Sequence, residues 1–571
     1  MQAEAHAETG MTPPTSGWRS FADIAAVMGI WKRGLLLSAV VLNILGLALP
    51  LAMLQLFDRI IPRAAVETLA MIVIGLLAAL LCEAALRIAR SIIIAWNGAR
   101  FDHKTSTHLV ACLLDAPLRA VEAQPIGVHM TRMNSVEPVR DFYSQQLAFL
   151  FADGIFIIIF MALMYYIAGW LVLVPLAMVA IYGALAWVTG DALHRALVSR
   201  KEFDDRRYNF IFEVLSSIHS AKALAMEQAL QRRYERLIAG CATPAWRVNY
   251  LSSLAESYSA SFSLATSIAV GAAGAWFVIN DQMSVGALAA VTMLSGRSVQ
   301  PLLRALGLWH RFQSVRINVQ NLEKVVAMPR ENAAAAIALD HFQSATVADV
   351  HFAYEGAAAP VFEGAALSIQ RGETISISGA NGSGKTTLIR LLAGDLAAGG
   401  GEIRVNDRPI DDFDHQSLRR RIAVIPQHCM LLQGTVLDNL TRFDVDANLD
   451  QALELAARLG LDRFFAALAD GYEMQVGDGR SHILPSGVIQ RIGMVRALVG
   501  QPELILFDEA NMSLDQHGDK LVRELLASYK QDCGIVIVSF RPSLLAIADR
   551  HFEIRERRIQ PAAGVPAGGR G

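Results

Sequence analysis

Residues 34–57, GLLLSAVVLNILGLALPLAMLQLF, contain no charged side chain. Wound as a helix rising 1.5 Å per residue, such a run crosses about 30 Å of hydrocarbon. Few other features restrict a fold so strongly, because only helices and closed barrels satisfy their backbone polar groups within lipid. The run is not isolated. The chain has 571 residues, of which 53% are hydrophobic and 18% charged, whereas a soluble domain is about 25% charged. A second apolar stretch covers 69–95, with Glu83 and Arg87 inside it, four positions apart on one helical face. Its charges require either that the helix reach water before position 83 or that this face be buried against neighbours. Stretches 147–168 and 170–189 flank Ala168-Gly169-Trp170 as a tight pair, and 259–279 and 283–303 form a last pair, the final one weakened by Arg297. Six spans are expected.

Basic residues set the orientation. Lys32 and Arg33 precede the first span; Arg87, Arg90, Arg100 and Lys104 follow the second; Arg195, Arg200, Lys201, Arg206 and Arg207 follow the fourth; Arg304, Arg311 and Arg316 follow the sixth. The opposite loops are short and mostly neutral, apart from Arg59 and Arg63. Both termini are therefore expected in the cytosol. The start of the chain lacks the basic-then-apolar pattern of a secretory leader, so no cleaved leader is expected. Five cysteines (Cys82, Cys112, Cys241, Cys429, Cys533) without a CxxC pair argue against a disulfide framework or zinc site. A net charge of −2 gives no electrostatic case for nucleic acid.

The cytoplasmic connections 96–146 and 190–258 are too long and too helix-patterned for loose loops. In 208–238, Phe212, Leu215, Ile218, Ala221, Leu224 and Ala225 recur at three- and four-residue steps, as in an amphipathic helix or a membrane helix continuing into the cytosol. The organisation expected is a cytosolic segment (1–33), a six-helix transmembrane domain (34–328), an Ala-rich linker (329–344), an α/β domain (345–560) and a disordered tail (561–571). In the α/β part, short β-like runs (Leu367–Ile369, Glu373–Ser378, Ile422–Ile425, Leu504–Phe507, Gly534–Ser539) alternate with helical stretches, which predicts a largely parallel sheet.

Chemistry concentrates in this second part. Gly379-Ala380-Asn381-Gly382-Ser383-Gly384-Lys385-Thr386-Thr387 follows the run Glu373–Ser378 and precedes a helical run, Leu388–Leu392. It fits the phosphate-binding pattern G-x-x-x-x-G-K-[ST]. The glycines let successive N–H groups turn toward phosphate oxygens, and the helix N-terminus adds partial positive charge. Lys385 would meet the β- and γ-phosphates of ATP, and Thr386 would ligate Mg2+. Leu504-Ile505-Leu506-Phe507-Asp508-Glu509 supplies a buried strand ending in two carboxylates. Asp508 would bind Mg2+, and Glu509 would polarise the attacking water.

With these motifs in place, the chain resembles an ATP-binding cassette exporter half-transporter, from about residue 20 to 560. The resemblance implies a six-span helical domain followed by a P-loop nucleotide-binding domain, an ATPase coupled to transport, and a dimer with a second half of the same or another kind. Tyr354, in Val350-His351-Phe352-Ala353-Tyr354, matches the aromatic that stacks on adenine. Gln427, in Ile425-Pro426-Gln427, matches the glutamine that senses Mg2+ and takes part in catalysis. Ser513-Leu514-Asp515 resembles the loop that crosses the dimer interface. Leu49-Pro50-Leu51, Gln55-Leu56-Phe57-Asp58-Arg59-Ile60-Ile61-Pro62, Gly286-Ala287-Leu288-Ala289-Ala290-Val291 and Arg541-Pro542-Ser543-Leu544-Leu545 are similar to segments of bacterial type I secretion permease/ATPases. That branch implies a multi-pass protein of the bacterial inner membrane that moves polypeptide outward with an inner-membrane adaptor (membrane fusion protein) and an outer-membrane tunnel protein. With only about 33 residues before the first span, the variety expected lacks a large N-terminal peptidase-like domain. Export of lipid, peptide or drug is the alternative, as is a catalytically weak nucleotide-binding subunit in a heteromer.

The chain departs from the family at two positions. The signature Leu-Ser-Gly-Gly-Gln falls on Leu484-Pro485-Ser486-Gly487-Val488, where Pro485 removes a hydroxyl and an N–H, leaving Ser486, Gly487 and the helix dipole to face the partner's nucleotide beside Asp515. Phe540 occupies the place of the histidine that reaches the γ-phosphate. Slow hydrolysis in a homodimer, or a heterodimer that distributes the defects, is the expectation.

Overall fold

The computed structural model describes residues 33–143, 148–331, 337–357, 359–477 and 484–562. The N-terminal segment before Arg33, the middle of the linker and the tail beyond Ala562 lie outside the described residues. The chain forms two compact units, one reaching Met328 and the other beginning at Pro329, with Pro117–Arg119 grouped with the second.

The first unit is helical. Its principal helices are α1 (Arg33–Gly46), α2 (Ala48–Gln55), α3 (Val66–Leu114), α4 (Ala148–Ala168), α5 (Leu173–Ser216), α6 (Glu227–Ile279) and α7 (Val285–Val326). By length and composition, four stretches can cross a membrane: Leu37–Arg63, Val66–Leu114, Phe156–Ser216 and Glu227–Ile279; Val285–Val299 is a shorter apolar helix. The third contains both members of the expected tight pair, separated by Gly169 at φ 57° and a 3-10 turn, Gly169–Val172. The six stretches expected from the sequence coincide with α1–α2, α3, α4, α5, α6 and α7, the described apolar part of α7 being the shorter helix Val285–Val299. The most apolar window of α3 has no residue buried within the chain, as expected of a surface solvated by lipid. At 49, 44 and 53 residues, α3, α5 and α6 are about 74, 66 and 80 Å long, more than twice the hydrocarbon thickness.

Three details resolve points raised by the sequence. Glu83 and Arg87 pair with each other, with Arg87 Nε donating to Glu83 Oε1 at 3.0 Å, so the charges neutralise locally, the Glu83 carboxylate largely covered and the Arg87 side chain exposed. Arg297 lays its guanidinium against Gly46 of α1, where a Cβ would collide with it. The segment 208–238 is not one amphipathic helix. α5 stops at Ser216, a short helix occupies Ile218–Ala223, and α6 begins at Glu227, with Ala225 in the left-handed region. Phe212, Leu215, Ile218 and Leu224 are exposed, so the periodicity is a series of apolar positions around a turn and not one buried stripe.

Two of the segments that carry the secretion-type resemblance meet. Leu56–Ile60 forms a π-turn, and its Asp58 accepts hydrogen bonds from Ser284 Oγ at 2.6 Å and Gly286 N at 2.9 Å. Ser284 in turn accepts from Ala287 N and caps α7. A carboxylate here is stabilised by the positive end of the helix. Gly286 is needed for this approach, because a Cβ would lie 2.5 Å from Asp58 Oδ1 and 2.7 Å from the Leu54 carbonyl.

The second unit contains twelve strands among its described residues. β1 (Ser344–Phe352), β2 (Phe362–Gln370), β4 (Gly400–Val405) and β5 (Arg408–Pro409) make an antiparallel sheet in the order β2-β1-β4-β5. The run Leu367–Ile369 therefore lies in an antiparallel sheet, while the other expected runs build a mainly parallel one. That sheet has the order β12-β11-β3-β10-β9-β6, from β3 (Thr374–Gly379), β6 (Ile422–Ile425), β9 (Leu504–Asp508), β10 (Gly534–Val538), β11 (Arg550–Arg555) and the antiparallel edge β12 (Arg558–Pro561). β7 (Gly434–Thr435) and β8 (Gln475–Val476) form a small separate pair. The uninterrupted apolar runs follow from burial on both faces. Leu504 and Leu506 enter one core with Val536 and Val538, and Ile505 and Phe507 enter the other with Ile535 and Ile537. The second half of the segment read as a linker contributes to the first of these cores: Leu339 and Phe342 are buried, and Phe342 N donates to Glu503 at 2.5 Å.

Candidate functional site

β3, β10, β9 and β6 are adjacent in the parallel sheet, and the loops at their C-terminal ends carry the residues singled out by the sequence. This is where ligands bind in open α/β sheets. The loop after β3 leads into α8 (Lys385–Leu392), whose N-cap is Gly384 at φ 105°. That φ is accessible to glycine, and a Cβ would lie 2.5 Å from Val361 and 3.0 Å from Phe362. Gly379 and Gly382 also have positive φ, of 153° and 79°. Asn381 and Gly382 are exposed at the rim. The Ser383 hydroxyl is buried with no hydrogen-bond partner, as suits a donor waiting for a phosphate oxygen.

Lys385 is 7% exposed and folds back onto its own loop, donating to the carbonyls of Gly379 at 3.1 Å and Ala380 at 3.2 Å. Its ammonium is 3.5 Å from Glu509 Oε1. Gln427, following β6, donates through Nε2 to Glu509 Oε2 at 3.1 Å. The Glu509 carboxylate is therefore held between a lysine and a glutamine. Its backbone is in the left-handed region at φ 49°, strain on the order of 1–3 kcal/mol for a non-glycine residue, and is fixed by its N–H donating to Val538 O at 2.8 Å. Asp508 ends β9, is buried, and accepts from the Thr386 hydroxyl. Burial pushes its carboxyl above the usual carboxylate range, while the Thr386 bond and the Lys385 charge pull the other way.

Tyr354 follows β1, packs edge-on against Phe352 with centroids 5.0 Å apart, and bonds Thr387 through its hydroxyl at 3.0 Å. It remains 43% exposed, leaving ring surface for a flat ligand. Phe540, after β10, places its ring centroid 4.8 Å from Lys385 Nζ in a cation–π contact.

The signature segment lies away from this cluster. α9 (Ser486–Leu498) has Pro485 at its N-cap and no side-chain cap. Val488 and Ile489 donate to the Pro485 carbonyl, so Ser486 and Gly487 present the unsatisfied N–H groups of the helix start. Gly487 packs on the crossing loop, where a Cβ would be 2.9 Å from the Ser513 carbonyl. Asp515 is exposed and caps α10 (Gln516–Tyr529) by accepting from Gly518 N at 2.7 Å. The loops after the four strands thus bring together Lys385, Thr386, Gln427, Asp508, Glu509 and Phe540, with Tyr354 nearby on Thr387. Ser486, Gly487 and Asp515 form a second surface.

Sequence reasoning missed Gln490, which is buried in α9. It donates to Pro426 O at 2.7 Å and accepts from Cys429 N at 3.2 Å, holding both sides of the loop that carries Gln427. A glutamine inside an apolar helix face was the available signal.

Comparisons with known proteins fit this arrangement. Residues 34–302 match the family model of the ABC transporter transmembrane region, and residues 362–512 match that of the ABC transporter. The cyclolysin secretion/processing ATP-binding protein CyaB of Bordetella pertussis is 30% identical over 516 residues, covering 90% of this chain and 72% of that protein. The chain belongs to the ABC transporter family. The toxin RTX-I translocation ATP-binding protein of Actinobacillus pleuropneumoniae is 28% identical, and the alpha-hemolysin translocation ATP-binding protein HlyB of Escherichia coli is 27% identical. Each match covers 92% of this chain and 74% of the relative. The structure of a bacterial Atm1-family ABC exporter with ATP bound superposes with a TM-score of 0.83 at 20% identity, covering 92% of this chain and 93% of that one, which establishes the exporter fold. As an ABC exporter half-transporter, the chain binds ATP and couples its hydrolysis to transport across a membrane that it crosses several times.

Proposed function

We propose that this ABC exporter is the permease/ATPase of a type I secretion machine and moves unfolded polypeptide out of the cytosol. The observation that carries the reading is a similarity running through both units to proteins whose names state cyclolysin secretion/processing, toxin RTX-I translocation and alpha-hemolysin translocation. The pairing of Asp58 with Ser284 and Gly286 supports it, since two secretion-type segments meet there. In this reading both termini and the ATPase unit are cytosolic, the membrane is the bacterial inner membrane, and an adaptor and an outer-membrane tunnel complete the path.

ATP enters with its adenine on Tyr354 and its phosphates in the loop 379–387. The orphaned Ser383 hydroxyl and the glycine curl fit that ligand. Lys385 leaves its loop carbonyls and Glu509 to meet the β- and γ-phosphates. Thr386, Asp508 and Gln427 provide hard oxygen donors suited to Mg2+, which would neutralise developing charge on the phosphates. Freed from Lys385, Glu509 orients and polarises the attacking water, with Gln427 holding its other oxygen. Ser486, Gly487 and Asp515 face the nucleotide of the opposite half. Phe540 supplies no hydrogen bond to the γ-phosphate and Pro485 leaves the signature helix uncapped, so turnover is slow in a homodimer, and a heterodimer would spread the two defects over its two sites.

The test is reconstitution of the full chain in vesicles with unfolded, glycine-rich polypeptide, fluorescent lipid or a cationic dye outside. ATP-dependent protection of the polypeptide from protease is expected. ATP-dependent movement of lipid or dye alone would refute the cargo assignment.

A further inference from the structure

Between the site and the signature surface lies a buried polar cluster for which ATP binding has no direct use. Asp519, on the first turn of α10, is 6% exposed, with Asn511 and Ser539 at 1% and 2%. Asn511 Nδ2 donates to Asp519 Oδ1 at 2.8 Å, and Arg541 Nη1 lies 3.3 Å from the same oxygen. The Ser543 hydroxyl donates to Asp519 Oδ2. Arg541 uses its other terminal nitrogen, Nη2, to donate to the Leu514 carbonyl at 2.8 Å. Ser539 Oγ donates to Asn511 Oδ1 at 3.2 Å and accepts from Arg541 N at 3.1 Å.

Apart from the Arg541 N–H to Ser539 bond, which is internal to its loop, each bond in this set joins one of two loops to the other or to Asp519. One loop, 539–543, leaves β10, carries Phe540, and begins the short helix α11 (Pro542–Leu545). The other, 509–515, begins at Glu509 and ends at the cap of α10. A buried carboxylate is costly unless its oxygens are satisfied, and here three donors from both loops satisfy it. Arg541 suits the task because its planar fork reaches the carboxylate and the Leu514 carbonyl together, which a lysine cannot do. The Leu514 segment also lies under Gly487 of the signature helix.

We propose that Asp519 is a positioning residue that locks the Phe540 loop and the crossing loop into one body, so that nucleotide at this chain's phosphate loop sets the position of Ser513–Asp515 and the signature helix that face the opposite site. The inference rests on the two-site dimer described above. Asp519 acts only through the two loops that bond to it.

The test uses the full chain in lipid nanodiscs, measuring ATP affinity, steady-state hydrolysis and amide hydrogen exchange. Asp519→Asn should lower kcat by about 10- to 100-fold, the size expected for misplaced rather than missing groups, while the Kd for ATP stays within about twofold. Arg541→Lys should resemble Arg541→Ala, and adding Asp519→Asn to Arg541→Ala should cost little more. Exchange should quicken in 511–515 and 539–545 together and stay unchanged at 379–387. If Asp519→Asn fails to fold, Ser543→Ala, which removes one of the three donors, should show the same paired change at smaller size. Quickening in only one loop, a matching rise in Kd, full rescue by Arg541→Lys or additive losses would overturn the proposal. An inactive wild-type chain would refute the ATPase reading without affecting the exchange result, so the two failures are distinguishable.

Discussion

Replacing Phe540 by histidine changes two things that the structure separates. The ring now stands 4.8 Å from the Lys385 ammonium and is 53% exposed. A cation–π contact at such a site is worth about 0.5–1 kcal/mol, and nucleotide must displace it before Lys385 reaches a phosphate. Losing it should therefore lower the KM for ATP by about two- to fivefold. Histidine also supplies a donor toward the γ-phosphate. A hydrogen bond to a charged group contributes about 1.5–3 kcal/mol, which corresponds to a rise in kcat of about 10- to 150-fold if the bond strengthens in the transition state. Phe540→Ala separates the effects, since it frees the lysine without adding a donor; KM should fall and kcat should not rise. The assay is steady-state phosphate release by the purified chain in nanodiscs at saturating Mg2+. An unchanged kcat in Phe540→His, or an equal gain in Phe540→Ala, would refute the reasoning.

Pro485→Ser should restore an N-cap worth about 0.5–2 kcal/mol and raise hydrolysis at the site completed by this helix, with a gain that multiplies with that of Phe540→His; phosphate release from the double variant checks it. Gly384→Ala should abolish ATP binding in a fluorescent-nucleotide titration and lower the unfolding temperature, because its φ of 105° and the 2.5 Å approach to Val361 leave no room for a Cβ. Gly286→Ala should destabilise the helical unit by about 1–3 kcal/mol through overpacking against Asp58 and Leu54, seen as a lower melting temperature in detergent with unchanged ATP affinity.

The phosphate loop, the acidic strand and the paired spans were legible because each is a local pattern, a strand or helix whose function follows from residues in sequence. What escaped depends on contacts over distance or on breaks in the chain. Periodicity in 208–238 continues smoothly through Ser217 and Ala225, where the helix stops, since a three- and four-residue rhythm does not record a left-handed residue. Glu83 and Arg87 were visible as neighbours on one face, but their mutual pairing needed the side-chain geometry. Asp58 and Gly286 were singled out separately, and only the fold shows that the Asp58 carboxylate accepts from the Gly286 N–H in the first turn of α7. Gln490 and Asp519 look like ordinary polar residues in helices. Their meaning lies in burial and in partners on loops 61 and 8 residues away or more.

The central claim is that Glu509, poised between Lys385 and Gln427, makes this chain an ATP-hydrolysing exporter half. The most direct measurement is Mg2+-dependent phosphate release by the wild-type chain in lipid against Glu509→Gln, with ATP affinity measured alongside. Slow hydrolysis by the wild-type chain, its loss in Glu509→Gln, and ATP affinity preserved or tightened are the expected results. Equal hydrolysis by both proteins, or loss of ATP binding along with hydrolysis, would contradict the claim.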